Sequence, residues 1–243
     1  MSKTKAYCAN EPNARVVPTN IDRRPVGPND VQIGIEYCGV CHTDIHFVNN
    51  DWGMTNYPVV PGHEIVGRVT EVGSAVKNFI AGDRAAIGCL VDSCGVCGNC
   101  EKGLEQYCLN GFTATYNSET SDPGGFTYGG YSTSVVAKES FVMHIPDSLT
   151  GPGIAPLLCA GITTYSPLRK WNIGKGQKVG VIGLGGLGHM GVKFARALGA
   201  QVTMITSSEQ KGEDALMLGA DEVLLSSSID ALKPTACIFN LLL

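Results

Sequence analysis

Along the first 150 residues, apolar and polar positions alternate in short runs. VQIGIEY, Val31 to Tyr37, places every second apolar side chain on one face, the pattern of a half-buried strand. EIVGRVTEVG, DRAAIG and YSTSVVA repeat it, with Pro-Asn-Asp, Gly-Ser and Ala-Gly-Asp breaks between the runs. Residues 1–150 therefore predict an irregular β-barrel or sandwich with loops. From Gly151 the texture changes. IAPLLCAGITTYSPLRKW predicts a helical approach partly broken by Pro156 and Pro167, and KVGVIGLGGLGHMGVKFARALGAQVTMIT reads strand, glycine turn, helix, strand. A helix from about Glu209 to Leu218, a strand EVLL and an apolar TACIFN follow. Alternating strand and helix is the mark of a parallel α/β sheet, so residues 151–243 form a second domain.

Composition narrows the possibilities. Hydrophobic residues make up 44% and charged residues 16%, enough for a packed core rather than wholesale disorder. A net charge of -4 argues against a nucleic-acid surface. No apolar run approaches the roughly 18 residues of a membrane span. MSKTKAYCANEP lacks the apolar centre of a secretory signal. The expected compartment is the cytoplasm, where thiols stay reduced. Ten cysteines then point to metal or catalysis rather than disulfides, and 31 glycines to many turns or close backbone approaches.

Gly183, Gly185 and Gly188 spell G-x-G-x-x-G directly after the strand KVGVI, with Leu184, Gly186 and Leu187 between them. The pattern alone is weak, and a glycine turn that merely packs helix on strand would look the same. Closing a βαβ unit strengthens it, because a pyrophosphate can rest on the free N–H groups of the helix N-terminus. An NAD site carries an acidic residue at the end of the next strand. Here Thr206, Ser207 and Ser208 stand there, with Lys211 shortly after, which suits the 2′-phosphate of NADP. The serines also suit a helix cap, and the two roles coexist.

Cys94, Cys97, Cys100 and Cys108 have the spacing C-x2-C-x2-C-x7-C. Four thiolates leave no open coordination position, so the expected site is a structural zinc. A disulfide pair fits a reduced compartment poorly, an iron–sulfur cluster uses other spacings, and scattered thiols seldom fall so regularly. A second, dispersed set comprises Cys41, His42, Thr43, Asp44 and His46 in CGVCHTDIH, His63 and Glu64 in PGHE, and Cys159 in LLCAG. Spacing alone leaves it open whether these form a second metal site or are core and surface residues, with Cys38 read as packing.

Together, CGVCHTD, YPVVPGHEIVG, the four-cysteine lobe, LLCAGITTYSPL and GLGGLGHMGVK resemble the zinc-dependent medium-chain alcohol dehydrogenases, in particular their NADP-dependent, cinnamyl-alcohol-dehydrogenase-like branch. The resemblance implies a GroES-like irregular β-barrel domain followed by a partial Rossmann domain, and two zinc ions per chain. Cys41, His63 and Cys159 would hold a catalytic zinc acting as a Lewis acid while hydride passes between NADP(H) and a primary alcohol or aldehyde. Thr43 would relay the substrate proton through the ribose toward His46, histidine being suited to proton exchange near neutrality. Asp44 would orient His63, Glu64 would assist ligand exchange, His42 would touch the pyrophosphate and Thr163 would lie near nicotinamide. Trp52 and Tyr57 read equally as substrate-pocket or core aromatics.

The same resemblance implies that the family continues beyond Asn240-Leu241-Leu242-Leu243, an apolar ending that makes a poor solvated terminus. The expectation is a truncated or frameshifted product lacking one face of the nicotinamide site, inactive or unstable by itself. A non-catalytic zinc-binding scaffold and the same chemistry with NAD are the alternatives. A homodimer is possible for the family, and no motif specifies the alcohol or aldehyde.

Overall fold

A computed structural model describes residues 2–121, 123–227 and 239–243. The chain divides into two compact units, Met1–Cys159 and Ala160–Leu243. The junction lies beyond Gly151 because the 3₁₀ turn Pro152–Leu158 carries Ile154, Ala155 and Leu158 into a cluster with Val66, Ala86 and Ile145 of the first unit.

The first unit opens with a hairpin of β1 (Ser2–Cys8) and β2 (Val17–Arg23). β3 (Asp30–Cys38) follows, then helix α1 (His42–Asn49) and β4 (Ile65–Val72). β5 (Arg84–Ile87) leads to a small pair, β6 (Leu90–Asp92) and β7 (Thr113–Ala114), which frames the four-cysteine lobe. β8 (Ser134–Lys138) and β9 (Met143–His144) complete an antiparallel sheet of order β8-β3-β4-β5-β9. The alternation read from the sequence is visible in burial: Val31, Ile33, Ile65, Val69, Ala85, Ile87, Val135 and Ala137 share one core. YSTSVVA enters the sheet only at Ser134. Its first residues serve another purpose: Tyr131 donates its N–H to Pro61 O (2.9 Å) and Thr133 to Lys5 O (2.9 Å), tying the segment to the hairpin and to the turn before His63.

The second unit begins with α2 (Ala160–Lys170). Pro167 lies inside this helix and does not break it, and its neighbour Leu168 is fully buried in the core of the unit. β10 (Lys178–Ile182), α3 (Gly186–Ala197), β11 (Gln201–Thr206), α4 (Glu209–Met217) and β12 (Glu222–Leu225) then alternate. Among the described residues its strand pairings are all parallel, with order β12-β11-β10-β13, where β13 is Leu241–Leu242. Numbered within the unit, this is 3-2-1-4, the first two-thirds of a doubly wound dinucleotide fold. TACIFN lies outside the described residues except for Phe239 and Asn240. The terminal leucines join the sheet: Leu241 and Leu242 pair with β10, and Leu241 and Leu243 pack on the core, while the Leu242 side chain stays exposed.

The strand order reverses between β10 and β13, so the turn after β10 sits where such sheets bind ligands. Gly183 takes φ +83° there, and a Cβ on Gly188 would lie 1.9 Å from the Gly183 carbonyl oxygen. Gly188→Ala is therefore expected to force α3 away from β10 at a cost of about 1–3 kcal/mol. Gly186→Ala, whose added carbon meets nothing within 4 Å, is expected to keep the wild-type thermal midpoint by circular dichroism.

Candidate metal centre and nucleotide loop

α1 begins at a cysteine. Cys41 is its N-cap, and Asp44 at the third helical position closes a capping box by accepting the Cys41 N–H at 3.0 Å. The other oxygen of Asp44 accepts from Gly62 N–H (3.0 Å) and faces His63 Nδ1 at 3.1 Å. One carboxylate thus orients both Cys41 and His63 and leaves His63 Nε2 unengaged by Asp44. Asp44 is 2% exposed and His63 4%. Burial disfavours the Asp44 charge, but the bond and charge of His63 and then the N–H groups of Cys41 and Gly62 hold its carboxyl below the ordinary range. Burial likewise opposes protonation of the metal-free His63, yet Asp44 and Cys159 outweigh it and push the imidazole up to about 11.

Cys159 arrives from the end of the 3₁₀ turn, 118 positions beyond Cys41, and the two sulfurs are 3.8 Å apart. Sulfurs at about 2.3 Å from a tetrahedral zinc are separated by about 3.8 Å. One donor atom each from Cys41, His63, Glu64 and Cys159 lies within 4.8 Å of the others. The residues present fit zinc: two thiolates, one imidazole and a carboxylate near an otherwise open position. Glu64 is buried, and burial raises its carboxyl pKa. It fits only because Gly39 has no side chain, since a Cβ there would lie 1.8 Å from Glu64 Oε2.

The other predicted residues divide between the units. Thr43 is half-buried on the first turn of α1, and His42 is exposed. His46 Nδ1 pairs with Asp51 Oδ2 at 2.7 Å, and its ring lies 5.0 Å from that of Trp52. Trp52 is 51% exposed, whereas the Tyr57 hydroxyl donates to Val48 O (2.8 Å) and braces the end of α1. Residues not singled out by any motif also belong here. Cys89 influences the Cys159 thiol, raising its pKa. Tyr131 donates to Asp44 Oδ2 at 3.2 Å, and the Tyr116 ring lies 5.7 Å from that of His63. Neither tyrosine stands at a ligand spacing, so only the folded chain reveals them.

Cys94, Cys97, Cys100 and Cys108 form the second cluster, with one sulfur from each within 4.8 Å of the others. Cys94 and Cys100 are 3.9 Å apart, and Cys97 and Cys100 3.5 Å. Backbone N–H groups of Cys100 and Leu109 lower the Cys97 thiol to about 6, and that of Val96 lowers Cys94. Cys100, though Ser93 lowers it, is pushed up to about 11 by burial and by Cys97, so the set holds its thiolates at Cys94 and Cys97 before any metal arrives. In the second unit, Gly185, Gly186 and Leu187 are exposed at the start of α3, Leu184 is half-buried and Gly188 buried. Ser208 caps α4, accepting Lys211 N–H at 3.3 Å, while Ser207 and Lys211 are exposed. Thr163 is exposed on α2.

The Asp44–His63 pair carries a pH signature in the metal-free protein. The depressed Asp44 contributes stability above its ordinary 3.8 that is lost as pH falls through its lower folded value. The raised His63 contributes stability below its ordinary 6.5 that is lost as pH rises through about 11. The stability gap between wild type and Asp44→Asn, followed by denaturant titration, is expected to be widest between those two ordinary values. Breaking the buried pair should cost about 3–5 kcal/mol there, and zinc affinity in a chelator competition should fall about 10–100-fold.

The description "Alcohol dehydrogenase GroES-like domain" matches residues 27–147, and "Zinc-binding dehydrogenase" matches residues 186–236. The chain is 53% identical to NADP-dependent alcohol dehydrogenase C 1 of Mycolicibacterium smegmatis, over 100% of this chain and 70% of that protein. It is also 53% identical to aldehyde reductase YahK of Escherichia coli, over 98% of this chain and 67% of that protein. A cinnamyl alcohol dehydrogenase structure from Sorghum bicolor superposes with a TM-score of 0.94 at 44% identity, covering 98% of this chain and 68% of that one. A Helicobacter pylori CAD structure complexed with NADP(H) gives 0.86 at 42%, covering 91% and 64%. With its two clusters of ligand-type side chains and its G-x-G-x-x-G turn, the chain belongs to the zinc-binding alcohol dehydrogenase family.

Proposed function

We propose that this chain is a zinc-dependent oxidoreductase transferring a hydride between NADP(H) and primary alcohols or their aldehydes. The observation that carries this reading is the convergence of Cys41, His63 and Cys159, with sulfurs 3.8 Å apart and His63 already oriented by Asp44. Zinc held by these three residues supplies Lewis acidity toward an alcohol or aldehyde oxygen. Glu64 is the spare donor of the set and assists ligand exchange.

The chain's own residues do the rest. Thr43, two positions beyond Cys41 on α1, hydrogen-bonds the substrate hydroxyl and accepts its proton as its own hydroxyl proton moves on toward His46. His46, fixed through Nδ1 by Asp51 and partly exposed, passes that proton to solvent from its other ring nitrogen. Thr43→Val is expected to lower kcat by about 100-fold or more, as loss of a proton-transfer group does.

The four-cysteine cluster holds a second, structural zinc that does no chemistry. Metal analysis of the purified chain is expected to return two zinc ions, and Cys159→Ser one, with loss of NADPH-dependent aldehyde reduction. A wild-type chain with a single zinc and no turnover would favour the scaffold alternative.

NADP is preferred because Thr206, Ser207 and Ser208 occupy the strand end where an NAD site carries an acid, with Lys211 exposed one turn on. The relatives named for NADP and NADP(H) support the same choice. His42, Thr163 and the turn from Gly183 through Leu184, Gly185, Gly186 and Leu187 to Gly188 complete the proposed cofactor set. Lys211→Ala is expected to raise the Michaelis constant for NADPH selectively. An NAD enzyme would show no such change.

A further inference from the structure

Asp44 is crowded. Its two oxygens receive the N–H of Cys41 and of Gly62, the Nδ1 side of His63, and the hydroxyl of Tyr131 at 3.2 Å. A carboxylate offers about four lone-pair sites, so these contacts fill it. Beside it lies Tyr116, 4% exposed, whose Oη has no hydrogen-bond partner among the described residues. Burial first, and then the charge of Asp44 and the closeness of its carboxylate to the hydroxyl, keep this phenol in its neutral, proton-bearing form.

Neither ring is free to leave. Tyr116 stacks edge-on against Phe47 at 5.0 Å and tilts over His63 at 5.7 Å. Its neighbour Thr115 is pinned by N–H to Cys89 O at 3.0 Å. Tyr131 is held by its own N–H to Pro61 O and by Tyr7 N–H to its carbonyl. A buried donor left unpaired costs free energy, so its placement beside a saturated carboxylate calls for a reason.

We propose that Tyr131 and Tyr116 are interchangeable positioning residues of the metal centre, acting through Asp44. Tyr131 is the donor in use, and Tyr116 is the spare that replaces it. With either phenol present, the carboxylate keeps four donors and holds Cys41 and His63 in place. The inference rests on reading Cys41, His63 and Cys159 as that centre.

The test is a double-mutant cycle with Tyr131→Phe, Tyr116→Phe and the double variant, loaded with cobalt(II). Its visible bands distinguish a centre of two thiolates and one imidazole from one of four thiolates. Each single variant is expected to release the metal to a chelator within about 3-fold of wild type, and the double more than about 10-fold faster, with shifted bands at the mixed-ligand centre. In Tyr131→Phe alone, the Tyr116 hydroxyl proton should become protected from exchange by NMR, a readout that survives even if the double variant folds poorly. Thermal midpoints of the metal-free variants separate a general loss of stability from a change at the centre. A double variant no faster than the product of the singles, or an unprotected Tyr116 proton in Tyr131→Phe, would overturn the proposal. A wild-type chain that binds cobalt only in the four-cysteine lobe would overturn the underlying reading as well.

Discussion

The candidate centre depends on one buried negative charge. Asp44 is nearly excluded from water, where an unpaired carboxylate would be intolerable, and it is satisfied only when several chain segments meet. The N-terminus of α1 brings Cys41, the turn before β4 brings Gly62 and His63, and the approach to β8 brings Tyr131. Neither of the first two segments can shift without leaving the charge short of a donor. The requirement that a buried anion be fully hydrogen-bonded therefore doubles as the device that sets ligand geometry.

Close backbone approach makes the convergence possible. A Cβ on Gly62 would sit 2.7 Å from the Tyr131 ring and 2.8 Å from Cys38 Sγ, and Gly62 itself has φ +104°. A Cβ on Gly130 would meet Ile65 and Cys38 at 2.4 and 2.7 Å. Cys38, although C-x2-C spaced with Cys41, belongs to neither cluster and fills the space between these glycines, and burial pushes its thiol up to about 12, so it stays protonated. Packing density here excludes side chains on the glycines and keeps a reactive thiol inert.

The two clusters use cysteine differently. In the four-cysteine lobe the candidate ligands are close in sequence and sit on tight turns whose N–H groups point at sulfur, so the lobe organises itself locally. At the other centre, Cys41 and Cys159 are 118 positions apart, and only the completed first unit brings their sulfurs together. The first kind of site is written in spacing. The second is written in topology.

That contrast marks what could be read from the chain alone. Alternating apolar positions identified β3, β4 and β5, because a sheet with one buried face imposes period two. The glycine pattern identified the turn before α3, because a strand–turn–helix with close approach tolerates little else. Resemblance supplied the dispersed ligands, which spacing left open. Hidden from the sequence were the hairpin of β1 and β2, and the two- and three-residue strands β6, β7 and β9, too short to show a period. Hidden too were the unbroken helix through Pro167 and the pairing of Leu241–Leu242 with β10. So were Tyr116, Tyr131, Gly39 and the partner of His46, since hydrogen bonds and steric allowances between residues distant in sequence leave no periodic trace. By itself the sequence determined which side chains could act, through local pattern and ligand type. Only the tertiary structure decided which of them meet, because a buried charge and a set of metal donors are satisfied by position in space and not by order along the chain.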